Sequence, residues 1–339
     1  MRRDHGQGRA ADPARGRGRS RIQPDVGAAA AAIAGRLHRT PLLSSDTLGR
    51  AFGGRAFLKC ELFQKTGSFK PRGVLTKLAS LSAEERSRGV ISASAGNHAA
   101  ALAYGCALEG IDCLVVMWQG ASELKRAAAE GYGAAIDQKA EGPAEVFERL
   151  ALLREETGRV LVHPFDDPLV VAGQGTVGLE IAEDLPDAEV VVVPVGGGGL
   201  VSGIAAAVEG RRVVAVEPER AAGLHEALAA GEPVPVSPDS IADGLNAPFA
   251  GGLPLQLCRD LGVEPVLVSE GEIGTGFRFL YQRAKLAAEP AGAAGVGALL
   301  AGKVAGVEGA TVAVVVSGGN VAAQTASDTL KDSHPAADL

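Results

Sequence analysis

The strongest constraint on this chain is an alternation. Short runs rich in Val, Ile and Leu recur at 55–60, 89–93, 112–117, 134–137, 160–163, 189–195, 212–216, 265–268 and 311–316. Between them lie longer, Ala-rich stretches with helical character, at 26–37, 97–108, 122–131, 142–155, 173–184, 199–208, 271–287 and 291–304. A strand that is apolar on every residue, rather than on alternate ones, has to be covered on both faces. Joined by helices, such strands predict an α/β chain of doubly wound, mostly parallel sheets with helices on both faces.

Composition agrees. The 339 residues suffice for two domains. Hydrophobic residues make up 46% and aromatic ones only 4%, so the cores are aliphatic. Forty-six glycines without a collagen period are too many for a helical bundle and suit many tight turns. A net charge of −7 gives no attractive field for nucleic acid or an anionic membrane, and no apolar run reaches the length of a span. Cys60, Cys106, Cys113 and Cys258 form no CxxC pair. Neither a zinc site nor a disulfide framework is indicated, and free thiols fit a cytoplasmic location. Residues 1–24 differ from the rest. Arg2, Arg3, Arg9, Arg15, Arg17, Arg19 and Arg21 stand there with only two acids, which reads as a disordered tail. Arg2-Arg3 is followed by no apolar stretch that would make a twin-arginine signal. Pro233, Pro235 and Pro238 mark a surface loop.

Four stretches carry chemistry. In Thr66-Gly67-Ser68-Phe69-Lys70-Pro71-Arg72-Gly73 a lysine sits behind an aromatic among Gly, Ser and Pro. An amine held this way can form a Schiff base with an aldehyde cofactor such as pyridoxal 5′-phosphate (PLP). A solvated surface lysine is the plainer local reading, so the case rests on the other three. Gly196-Gly197-Gly198-Gly199 follows a strand and opens a helix, an arrangement that lets backbone amides and the helix dipole surround a phosphate. It departs from the GxGxxG dinucleotide fingerprint. Ser92-Ala93-Ser94-Ala95-Gly96-Asn97-His98-Ala99 lies between a strand and a helix and offers a hydroxyl, an amide and a helix start to a carboxylate or ring oxygen, or acts as a simple N-cap. Ser317-Gly318-Gly319-Asn320 stands at the carboxyl end of a strand, where open α/β sheets bind ligands.

Taken together, these stretches resemble the fold type II PLP enzymes, within the serine/threonine dehydratase and serine racemase group. The resemblance spans roughly 28 to 325. It is carried by Phe57-Leu58-Lys59-Cys60-Glu61-Leu62-Phe63-Gln64-Lys65-Thr66-Gly67-Ser68-Phe69-Lys70, and by His163-Pro164-Phe165-Asp166-Asp167-Pro168, Gly173-Gln174-Gly175-Thr176, Ile241-Ala242-Asp243-Gly244 and Glu289-Pro290. It implies two sheets, as in the tryptophan synthase β-like fold. A large PLP-binding domain would comprise 25–85 and 160–330, and a small substrate-side domain 86–159. It further implies that Lys70 carries PLP, Phe69 packs beside the ring, and Gly196, Gly197, Gly198 and Gly199 bind the phosphate. Asn97 would reach the ring 3′-oxygen, Glu289 would belong to the cofactor site and Ser317 would face the pyridine nitrogen. Ser94, Gly96, Asn97 and His98 would line the substrate carboxylate, with Ser94 joining Lys70 as a catalytic candidate. A neutral partner at the ring nitrogen favours elimination over transamination.

The implied function is α,β-elimination. L-Threonine or L-serine would become a 2-oxo acid plus ammonia, catalysed by a soluble homodimer or homotetramer. Racemisation in this group uses a serine just before Gly-Asn-His as second base, and here that residue is Ala95. The group's divalent-metal site would begin at Glu217, but the next two positions are Ala221 and Gly223, so no metal is expected. The chain ends about twenty residues past Ser317, so no regulatory domain is expected. Serine racemase and 3-hydroxyaspartate dehydratase are the alternatives. A threonine synthase-like enzyme and a non-catalytic PLP-binding protein are more distant ones.

Overall fold

The computed structural model describes residues 23–121, 123–142 and 145–331. The basic N-terminal stretch therefore lies outside the described residues up to position 22. Among the described residues ten strands run in chain order: β1 Leu42–Ser44, β2 Arg55–Cys60, β3 Val90–Ala93, β4 Cys113–Trp118, β5 Ala135–Ala140, β6 Val160–Leu161, β7 Val190–Pro194, β8 Arg212–Pro218, β9 Glu264–Val268 and β10 Thr311–Val316. They form a six-stranded sheet, β1-β2-β10-β7-β8-β9, and a four-stranded sheet, β5-β4-β3-β6. Only β1 pairs antiparallel, with Leu43 opposite Leu58. All other neighbours are parallel.

The alternation seen in the sequence becomes two covered faces. Along β7, Val190 and Val192 enter one buried cluster while Val191 and Val193 enter another. Val312, Val314 and Val316 of β10 follow the first pair, and Ala313 and Val315 the second. Helices Glu270–Gln282 and Pro290–Leu300 cover the first face, and Pro168–Asp184 and Gly199–Ala207 the other. The small sheet repeats the pattern, with Val90, Cys113, Val115 and Met117 on one side and Ile91, Ala93 and Val116 on the other. Each fully buried valine contributes about 1.5 kcal/mol or more, so these sheets are the stability of the molecule.

The expected strands fall within a few residues of the observed ones. Helices are shorter than expected in three places. The first ends at Ile33 instead of 37, where Ala34 and Gly35, the latter at φ 71°, form a tight turn closed by the Arg36 amide on the Ile33 carbonyl. The stretches expected to reach 287 and 304 stop at Gln282 and Leu300. Helix Pro71–Ala79 was not anticipated; it starts directly after Lys70, with Pro71 in the first turn where its missing N–H costs nothing.

Candidate active site

The chemistry-bearing stretches all leave the carboxyl ends of strands: Glu61 to Lys70 after β2, Ser94 to His98 after β3, the glycines after β7 and Ser317 after β10. Parallel pairing places those ends on one edge of each sheet, so segments distant in sequence converge.

Lys70 sits at the mouth of helix Pro71–Ala79. The loop before it is stitched to the one after β10. Phe69 N–H donates to the Ser317 carbonyl at 3.1 Å, Gly319 N–H donates to the Gly67 carbonyl at 2.9 Å, and Ser68 bridges Gly318. The Lys70 Nζ donates to the Pro164 carbonyl at 2.9 Å and lies 5.1 Å from the Phe69 ring centroid. No carboxylate pairs with it among the described residues. Desolvation therefore dominates and pushes the amine down to about 8, opposed by the charge of Glu289.

Asn97 stands between two partners. Its Nδ2 donates to Glu289 Oε1 at 2.8 Å, and its Oδ1 accepts from Asn320 Nδ2 at 2.8 Å. Asn320 Nδ2 also donates to the Thr66 carbonyl at 2.7 Å, so the Asn97 amide is oriented from both sides. Glu289 is buried, and burial followed by repulsion from Asp243 raises its carboxyl to about 7. His98 is buried with Nε2 3.1 Å from the Val162 carbonyl. Burial, then the neighbouring Lys70, lowers it to about 3, so it is neutral at working pH. Ser94 Oγ accepts from the Gly96 amide at 3.2 Å and stays partly exposed, as do Ala95 and Gly96.

Gly196–Gly199 join β7 to helix Gly199–Ala207, whose N-terminus has no side-chain cap. Gly198 adopts the left-handed region at φ 89°. The amides of Gly197, Gly198 and Gly199 meet no acceptor among the described residues, and a helix start with free amides favours an anion. Ser317 is buried, and its carbonyl accepts the Phe69 amide. Thr66 Oγ1, Ser68 Oγ, His98 Nδ1 and Glu289 Oε2 are buried without partners in the same region. Free amides, unpaired polar atoms and a desolvated lysine fit a polar, phosphate-bearing aldehyde.

Three contributors escaped the sequence reading: the Pro164 carbonyl, the Phe165 ring beneath the glycines, and Asn320 as the clamp on Asn97. Their segments were visible as motifs, but no local signal says which atom meets which. The buried carboxylate of Glu217 accepts the amides of Leu224 and His225 at 2.7 and 2.8 Å, at the start of helix Gly223–Ala230.

A family model described as pyridoxal-phosphate dependent enzyme matches residues 33–318. An L-threonine ammonia-lyase of Thermotoga maritima is 45% identical over 84% of this chain and 72% of its own. Among solved structures, maize serine racemase superposes with a TM-score of 0.86 at 36% identity, over 91% of this chain and 96% of that one. A threonine deaminase from T.th. does so with a TM-score of 0.81 at 39% identity, over 88% and 98%.

Proposed function

The chain belongs to the pyridoxal-phosphate dependent enzyme family, and from that premise we propose that it is an ammonia-lyase converting L-threonine, L-serine or both to a 2-oxo acid and ammonia. The names borne by its lyase and deaminase relatives support this reading. When bound, PLP supplies the electron sink that acidifies the substrate Cα–H.

The residues divide the remaining work. Lys70 would hold the cofactor and would be the group that takes the Cα proton at Nζ, an amine that burial lowers to about 8 in the cofactor-free chain. The Gly196–Gly199 amides would hold the phosphate, Phe69 would support the ring and Ser317 would offer a neutral partner to its nitrogen. Asn97, fixed by Glu289 and Asn320, orients the ring oxygen. Ser94, Gly96 and His98 receive the substrate carboxylate. Loss of the β-hydroxyl and hydrolysis of the released enamine give the 2-oxo acid and ammonia, with no net gain or loss of water. In this reading 25–85 and 160–330 form the large PLP-binding domain and 86–159 the small domain on the substrate side. A cytoplasmic homodimer or homotetramer belongs to the same reading, supported by four free, buried cysteines and the family resemblance.

The observation that carries elimination over racemisation is Ala95. It lies between Ser94 and Gly96 and has no proton to give to the face opposite Lys70. The likeness to maize serine racemase keeps racemisation as the second reading. Incubation of purified enzyme with L-serine and L-threonine, followed by ammonia assay and chiral chromatography, decides. Ammonia with little D-isomer is expected, and Ala95→Ser should raise D-serine. Abundant D-serine from the unaltered enzyme would overturn the assignment.

A further inference from the structure

Only one of the four loop glycines is required by its backbone. Gly198 has φ 89°, whereas Gly197 and Gly199 lie outside the left-handed region. What excludes a side chain at those two is Phe165. A Cβ on Gly197 would overlap the Phe165 ring, and one on Gly199 would lie 2.9 Å from the Phe165 carbonyl oxygen. The ring is itself held in place. Phe249 packs against it at 5.6 Å between centroids, and His163 meets it edge-on at 4.7 Å. His163 Nδ1 accepts the Asp166 amide at 2.8 Å and so locks the turn. The Asp166 carboxylate in turn accepts the amides of Gly252 and Leu253, whose neighbour Gly251 donates to the Gly197 carbonyl at 3.1 Å. The residue before Phe165 supplies the carbonyl that receives the Lys70 amine.

We propose that Phe165 is a positioning residue for the cofactor phosphate: its ring sets the register of the glycine loop, while the turn it belongs to holds the Lys70 amine at a fixed distance from that loop. The glycines at 197 and 199 are then small because Phe165 fills the space beneath them. This rests on the glycine loop taking the phosphate, and the test keeps the two apart.

Retention of PLP by the holoenzyme is followed by visible absorbance during dialysis and re-titration, with the melting temperature of each cofactor-free form measured alongside. Gly197→Ala should weaken PLP binding about 100-fold and Phe165→Ala about tenfold, with Phe165→Leu close to the unaltered protein. The double variant Phe165→Ala with Gly197→Ala should bind PLP about tenfold more tightly than Gly197→Ala alone, because removing the ring makes room for the methyl group. A double variant no better than Gly197→Ala, or a Phe165→Ala protein that keeps PLP as tightly as the original, overturns the proposal. Should Phe165→Ala not fold, the same cycle with Phe165→Leu decides, recovery of about threefold supporting the proposal and none overturning it. An unaltered protein that binds no PLP would instead sink the reading of the loop.

Discussion

Two lysines eleven positions apart live in opposite surroundings. Lys59, on β2, is fully buried, yet its Nζ meets Glu180 at 2.6 Å and the Thr40 carbonyl at 2.8 Å. It belongs to a closed ionic cluster. Arg72 donates to Glu61 at 2.8 Å through Nε and Nη2, and to Glu180 at 2.7 and 3.0 Å. Burial alone would push Glu180 up, but Arg72 and Lys59 hold it below the usual carboxylate range. Lys70, two residues before Arg72, has a carbonyl and an aromatic face instead, and its amine is pushed down to about 8. The same residue type is thus a matched charge in one place and an unmatched, desolvated amine in the other, the setting in which the proposed function places its chemistry.

That contrast can be broken in several ways. The largest effect is expected from Lys70→Ala, which should cut ammonia release by about 10⁴-fold. Its melting temperature should change little, since Lys70 forms no ion pair among the described residues. A large loss of stability with the activity preserved would invert the comparison.

Arg72→Met should do the reverse. It strands Glu61 and half of Glu180 in the interior, and breaking a buried pair from one side costs about 3–5 kcal/mol. Urea unfolding of the variant checks this, and an unchanged midpoint would show that the cluster is not an anchor.

Glu289 tests the site from the acid side. Its carboxyl is raised to about 7, so the fold favours the neutral form. That contribution is full below the unfolded value near 4.5 and is lost as pH rises through about 7. At 1.36 kcal/mol per unit the loss is on the order of 3 kcal/mol. Cofactor-free Glu289→Gln should lack this loss, flattening the fall in stability between about pH 5 and 7 relative to the original. Identical slopes would place the carboxylate in contact with compensating charge.

The smallest effect belongs to Arg39, a half-exposed residue pairing with Glu183 and Asp184 at 2.8 and 2.5 Å. Arg39→Ala should cost no more than about 1 kcal/mol, and less in high salt. A larger cost would extend the buried cluster to the surface.

How much of this was legible depends on distance along the chain. Runs such as Val190–Pro194 and Thr311–Val316 announce themselves because every residue is buried and all but Thr311 are apolar, so both faces need helices. Strand β1 was missed because three residues at an antiparallel edge carry no period. Helices Asp46–Phe52 and Ala83–Arg88 were missed because they are short and polar, specified by the caps Ser45 and Ser82 more than by an apolar stripe. In the site, Lys70, Asn97, Ser317 and the glycines were named by their motifs taken together and the resemblance these carry, since each stretch alone also has a plain turn or cap reading. Their mutual geometry did not, because Asn97 meets Glu289 across 192 positions and Lys70 meets Pro164 across 94. The tertiary fold alone makes those contacts.

The contrast between the two lysines has a direct chemical test. Borohydride reduction of the holoenzyme fixes PLP wherever it is bound as a Schiff base, and peptide mapping then reports the lysine. The label should appear on Lys70 alone, with Lys59 unmodified; a label on Lys59, or on any lysine other than Lys70, would contradict the account.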